Sequence, residues 1–213
     1  MGTKDIIRRS IKLIAIFICI ILVVRITEDV LDKEIHELDM IGYQIVSKYL
    51  ITERATPLVK FITELGGAIF LIILAVLLTF IIKNKKIKIL LWANLGISAL
   101  LNQVLKHLIQ RPRPSEFRIV NASGYSFPSG HSMVSVAFYG FLIYLINRKV
   151  KNKYLKWGCT IILSLLMLAI GISRIYLGVH YTSDVLAGIL ISVSYLIIFI
   201  SISKNILKGI END

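Results

Sequence analysis

Residues 11–24, 65–82, 87–105, 131–146, 157–172 and 185–202 of this 213-residue chain are apolar stretches, and their lengths constrain the fold more than any other feature. Crossing about 30 Å of hydrocarbon as a helix takes about 20 mostly apolar residues. Because a bilayer offers no water to exposed amides, runs of this kind cross as helices. A soluble reading fails on composition: 56% of residues are hydrophobic, 18% are charged and the mean hydropathy is +0.76, against about 25% charged in soluble domains. The expected fold is all-α and polytopic, with six transmembrane helices in one domain over residues 1–213.

The first run follows Arg8, Arg9 and Lys12, a pattern shared with secretory signals. The sequence after it, Arg25-Ile-Thr-Glu-Asp, offers no small-residue cleavage site and further spans follow, so it reads as an uncleaved helix. Basic residues set the orientation. Lys4, Arg8 and Arg9, then Lys83, Lys85, Lys86 and Lys88, then Arg148, Lys149, Lys151, Lys153 and Lys156, then Lys204 and Lys208 fall in alternate connections, which the positive-inside rule places in the cytoplasm. Residues 25–64, 106–130 and 173–184 then face outward, and both termini lie inside. The first outward stretch is acidic, with Glu28, Asp29, Asp32, Glu34, Glu37 and Asp39. Within 28–60, Ile35, Leu38, Met40, Ile41, Ile45, Val46 and Tyr49 approach helical spacing and read as an outward amphipathic helix along the membrane surface. The net charge of +12 and pI near 9.8 follow this topology, and no nucleic-acid motif accompanies them. Cys19 and Cys159 lie in apolar runs and read as small buried hydrophobes, with no disulfide or zinc framework.

The outward segments 106–130 and 173–184 gather the residues with chemistry. Three of the four prolines, Pro112, Pro114 and Pro128, fall in the first of them. Lys106 precedes Arg113-Pro114; Pro128-Ser129-Gly130-His131 follows; Ser173-Arg174, His180 and Asp184 complete the set. Three cations at a low-dielectric boundary call for an anion, and guanidinium groups hold phosphate oxygens through paired, charge-assisted hydrogen bonds. Ser129 and Gly130 stand where a span begins, so backbone amides and the positive end of the helix dipole point at that anion. His180 and Asp184 are four apart and share a helical face, so the carboxylate can fix the imidazole tautomer and stabilise an imidazolium. His131 supplies a second imidazole for proton transfer.

Lys-x6-Arg-Pro, Pro-Ser-Gly-His and Ser-Arg-x5-His-x3-Asp, in this order, resemble the three signature blocks of the type 2 phosphatidic acid phosphatase family, from Lys106 to Asp184 without a substitution. The resemblance implies a membrane lipid phosphatase in which His180 forms a phosphohistidine, Asp184 is its charge partner and His131 protonates the leaving oxygen. It further implies that Lys106, Arg113, Arg174, Ser129 and the amide of Gly130 hold the phosphate, with no metal and no cofactor. The partners would be membrane lipids and a lipid phosphate such as undecaprenyl diphosphate, phosphatidylglycerophosphate or phosphatidic acid, met at the outer face of a bacterial plasma membrane. A phosphotransferase using the same intermediate, or a non-catalytic protein that binds or translocates lipid phosphates, are the rivals. The first needs an acceptor pocket for which short loops leave little room. The second needs cations but not two histidines and a carboxylate.

Neighbouring residues take quieter readings. Arg111-Pro112 repeats the Arg-Pro pair two residues early, so Arg111 can share the phosphate, although the spacing from Lys106 favours Arg113. His107 reads as structural and His36 as solvated. Lys60 and Glu64 are spaced for an ion pair. Asn94, Asn102 and Gln103 read as interhelical hydrogen-bonding groups. Tyr125 and Phe127 suit the wall of the site or of its entrance.

Overall fold

In a computed structural model, which describes residues 3–32, 37–116 and 118–207, the described residues form eight helices and no strand. They are α1 (Thr3–Leu31), α2 (Glu37–Tyr49), α3 (Thr56–Glu64), α4 (Ala68–Ile81), α5 (Lys85–Ile109), α6 (Gly130–Lys149), α7 (Lys153–Tyr176) and α8 (Thr182–Leu207). Glu34, Ile35, His36 and Lys208 lie outside the described residues. Most of α1 and all of α5, α6, α7 and α8 are long and apolar enough to cross a membrane.

The remaining span, expected as one run over 65–82, is instead the bent pair α3 and α4, with 52° between them. The 14 residues of α4 reach only about 21 Å at about 1.5 Å each, so the pair spans only together. The break falls at Leu65, Gly66 and Gly67, where a side chain on Gly66 would come within 2.5 Å of Ile170. The Leu65 carbonyl exposed by the break accepts the Tyr139 hydroxyl at 2.7 Å, so no helix-end acceptor is stranded. A second difference is that α1 continues through Arg25 to Leu31, into the stretch expected as an outward loop.

At the other end of the bundle, Asn84 and Asn152 cap α5 and α7. Each side-chain carbonyl accepts two backbone amides at the helix start, which lets short basic turns join antiparallel neighbours. Large apolar residues face outward, including Ile69 and Phe80 at 77% and 83% exposure; such an envelope suits lipid, where apolar side chains carry no penalty. Inside, α6 packs against α5, α7 and α8. Phe138 and Phe141 are fully buried with Leu71, Leu91 and Ile170. A Cβ on Gly188 would lie 2.9 Å from the Ser129 carbonyl. Only glycine therefore lets α8 approach the start of α6 this closely, and that approach brings two of the three sequence blocks together.

α2 packs on the ends of α7 and α8, where Val46 joins Ile175, Leu177, Val179 and Val185. Leu38, Ile41, Ile45 and Tyr49 lie on its exposed side. Asn102 bonds out of its helix, to the Pro128 carbonyl at 3.1 Å and to Met133 Sδ. Asn94 differs from the expectation: its side-chain amide is buried with no hydrogen-bond partner among the described residues. Gln103 is exposed. Phe127 is core, packed with Val30 and Ala187. No ion pair joins Lys60 to Glu64 among the described residues.

Candidate active site

The turn between α7 and α8 carries His180, and the first turn of α8 carries Asp184. His180 Nδ1 lies 3.3 Å from Asp184 Oδ2, which also accepts the Tyr181 amide at 2.9 Å. Asp184 Oδ1 accepts Arg111 Nη1 at 2.7 Å. A carboxylate held on both oxygens fixes the proton of His180 on Nδ1 and leaves Nε2 as the free lone pair. That Nε2 accepts from Arg113 Nη1 at 3.1 Å, and Arg113 Nη1 also donates to the Val179 carbonyl at 2.9 Å. Arg113 Nε holds the carbonyls of Ser123 and Gly124, so Arg113 pins its own loop and caps the imidazole.

The other expected groups converge. Lys106, on the last turn of α5, donates to the carbonyls of Tyr125 and Ser126 at 2.6 and 3.2 Å. Arg174, on the last turn of α7, donates Nη1 to Thr63 Oγ1 at 2.7 Å, and its Nε is buried without a hydrogen-bond partner among the described residues. Lys106, Arg113, Arg174 and His180 all act electrostatically on His131. Ser129 is fully buried; its hydroxyl accepts from Ser132, so it caps α6, and its amide donates to the Asp184 backbone carbonyl at 3.0 Å. Gly130 follows at the helix start, where a Cβ would come within 2.9 Å of Asn102 Oδ1.

Two cavities meet this cluster from different sides. One of about 550 Å³ opens on His131 and Arg174, with Lys60, Glu64 and Asn121 in its walls. The other, about 500 Å³, opens on His180 between α2 and residues 114–116, with Met40, Tyr43 and Ile175 supplying apolar walls. A third, about 520 Å³, lies at the opposite end beside Arg8, Arg9 and Lys12.

Burial pushes His180 down from 6.5 to about 4, with Asp184 opposing the shift and Arg174 and Arg113 adding to it. The imidazole is therefore neutral at pH 7, with a lone pair on Nε2. Burial also pushes Arg113 below its ordinary value, opposed by Asp184 and assisted by Arg118. For Arg111, burial acts downward, but Asp184 and Asp39 outweigh it and hold the guanidinium above its ordinary value.

Residues 87–208 match the family model described as the PAP2 superfamily. The chain belongs to that superfamily. Among PAP2 relatives it is 37% identical over 134 residues to phosphatidylglycerophosphatase B of Bacillus subtilis, a match covering 60% of this chain and 64%, under two thirds, of that protein. It is 30% identical over 164 residues to an undecaprenyl-diphosphatase of Sulfolobus acidocaldarius, covering 72% and 74% of the two chains. The crystal structure of a transmembrane PAP2 type phosphatidylglycerolphosphate phosphatase from Bacillus subtilis superposes with a TM-score of 0.76 at 27% identity, covering 92% of this chain and 96% of that one. That of Aquifex aeolicus LpxE gives 0.64 at 25% identity, covering 79% and 98%. The chain is a multi-pass membrane protein of the PAP2 fold.

Arg111 differs from the sequence expectation. Nη1 is committed to Asp184 and Ser183 and Nη2 to Asp39, each at 2.7 Å, and its guanidinium lies 4.0 Å from the Tyr181 ring centroid. Arg111 braces the carboxylate that braces His180, whereas Arg113 reaches His180 itself. Asp39, Ser183 and Thr63 were not singled out in sequence. For Asp39 a signal was present: Asp39, Tyr43 and Val46 recur at helical spacing, and an acid in a stripe that buries needs a partner.

Proposed function

We propose that this chain is a metal-independent lipid phosphatase that works through a phosphohistidine on His180, with its site on the outer face of the plasma membrane. His180 Nε2 attacks phosphorus, the bond to the leaving oxygen breaks, and His131, in its protonated form, gives its proton to that oxygen. Water then attacks the phosphohistidine; His131 takes its proton, and inorganic phosphate and free His180 are released. Asp184 offsets the positive charge that develops on the imidazole in the first step. Lys106, Arg113, Arg174, the capped turn at Ser129 and the Gly130 amide hold the equatorial phosphate oxygens, a concentration of positive charge suited to this transition state.

The observation that carries this reading is the buried pair of His180 and Asp184, with Nε2 turned toward Arg113. Binding a phosphate needs the cations; it does not need a neutral imidazole with its tautomer fixed. The substrate reading draws on relatives named for phosphatidylglycerophosphate, undecaprenyl diphosphate and lipid A 1-phosphate. The outward site draws on Arg148, Lys149, Lys85 and Lys153, which lie at the helix ends away from the histidines. The test is phosphate release by the detergent-solubilised protein with EDTA present, from undecaprenyl diphosphate, phosphatidylglycerophosphate and phosphatidic acid. Wild type is expected to hydrolyse at least one and His180→Ala none. A folded wild type that releases no phosphate from any of them, or a His180→Ala variant with full turnover, overturns the reading.

A further inference from the structure

α2 lies before the stretch that matches the PAP2 family, yet it places a carboxylate three hydrogen bonds from the imidazole, through Arg111 and Asp184. Asp39 is 4% exposed. Its Oδ2 accepts Arg111 Nη2 at 2.7 Å and the Ser183 hydroxyl at 3.0 Å, and its Oδ1 accepts the Ser183 amide at 2.8 Å. Arg111 spans the gap to Asp184. The row of Asp39, Arg111 and Asp184 thus shares one positive charge between two buried carboxylates.

We infer that Asp39 is a positioning residue for the reaction: by drawing on Arg111 it leaves the negative charge of Asp184 available to the imidazole of His180. The inference rests on His180 as the nucleophile. With a neutral group at position 39, Arg111 answers Asp184 alone, and the imidazole faces that carboxylate partly neutralised while Arg113 and Arg174 still act on it. Positive charge on His180 then costs more, and phosphohistidine formation slows. The phosphate-holding cations are untouched, so substrate binding stays.

The experiment compares Asp39→Asn, Arg111→Gln, the double variant and Ser183→Ala in the full chain in detergent. It measures phosphate release from phosphatidylglycerophosphate against pH, and the His180 titration by NMR. Asp184, Arg113, Arg174 and His131, the groups that act on His180, are retained in all of them. Asp39→Asn is expected to lower kcat about tenfold with KM within about threefold, and to move the His180 titration down by about one unit. Arg111→Gln moves it up, and with Arg111 gone neutralising Asp39 moves it little further, so the double variant stays with Arg111→Gln. Ser183→Ala loosens the seating of α2 while keeping every charge, so it leaves the titration in place. If Asp39→Asn does not fold, the smaller neutral replacement Asp39→Ser, with Arg111 present, decides the matter by the same titration. The inference is overturned if neutralising Asp39 leaves the His180 titration in place while Arg111 is present, if it moves it as far once Arg111 is removed, or if Ser183→Ala moves it as far. Should wild type release no phosphate from this or any other lipid, the phosphatase reading fails by itself, while the titrations still decide whether Asp39 acts on His180.

Discussion

Replacing Asp184 with Asn tests the mechanism with the smallest change in shape. In the wild type this fully buried carboxylate accepts Arg111 Nη1 at 2.7 Å, the Tyr181 amide at 2.9 Å and His180 Nδ1 at 3.3 Å. An amide has one oxygen for these three donors, so its NH2 must face either Arg111 or the pair formed by Tyr181 and His180. The charge term is larger than the geometric one. Unit charges separated by the 3.3 Å observed here attract by about 332/(20 × 3.3), or about 5 kcal/mol, at an effective dielectric constant of about 20. That attraction exists only once the imidazole is positive, so its loss falls on the transition state. At about 1.4 kcal/mol per factor of ten, it corresponds to a drop in kcat of about 10³ to 10⁴. KM should stay within about threefold, because Lys106, Arg113 and Arg174 still hold the phosphate. The assay is single-turnover phosphate release in detergent, with quenched samples scored for acid-labile phosphoenzyme and the variant confirmed folded by size exclusion and thermal melting. A folded Asp184→Asn enzyme with kcat within tenfold of wild type would refute the assignment of Asp184 as charge partner.

Three further outcomes follow from the geometry and the electrostatics. Gly130→Ala drives a Cβ to within 2.9 Å of Asn102 Oδ1 and shifts the first amides of α6; kcat should fall about tenfold or more, while Asn102→Ser in the same background, by making room, should recover part of the loss in the same phosphate-release assay. The acid limb of kcat/KM should lie near pH 4, where His180 titrates. Since the folded value is below the unfolded one of about 6.5, the unfolded chain binds the extra proton first. This group therefore costs no stability above about pH 6.5 and progressively destabilises the fold as pH falls toward 4. Thermal melts from pH 7.5 to 4.5 should show the decline, and a His180→Gln variant should flatten part of it; an identical decline in that variant would show the group is not responsible.

The membrane class and the three reactive blocks were legible along the chain, because each depends on local quantities. A run of apolar residues must bury its amides in helices wherever it lies in a bilayer. Lys106 and Arg174 stand in the last turns of their helices, Gly130 and Asp184 in the first turns of theirs, so helical spacing alone predicted that they would share one end of the bundle. The pairing of His180 with Asp184 followed from an i, i+4 interval.

What escaped the sequence depends on which face of one helix meets another. Asp39 is one acid among several in an outward stretch, and nothing next to it in the chain distinguishes a solvated carboxylate from one seated on Arg111 and Ser183. The two Arg-Pro pairs are alike as dipeptides, yet tertiary packing turns Arg113 onto the imidazole and Arg111 onto the carboxylates behind it. Likewise the break at Gly66 and Gly67 is set by Ile170, a residue about a hundred positions away that packs where a side chain would otherwise stand. Local sequence determined that helices form and which reactive groups they carry. Only long-range packing decided which charges neutralise one another, because that depends on distances between helices that no interval along the chain records.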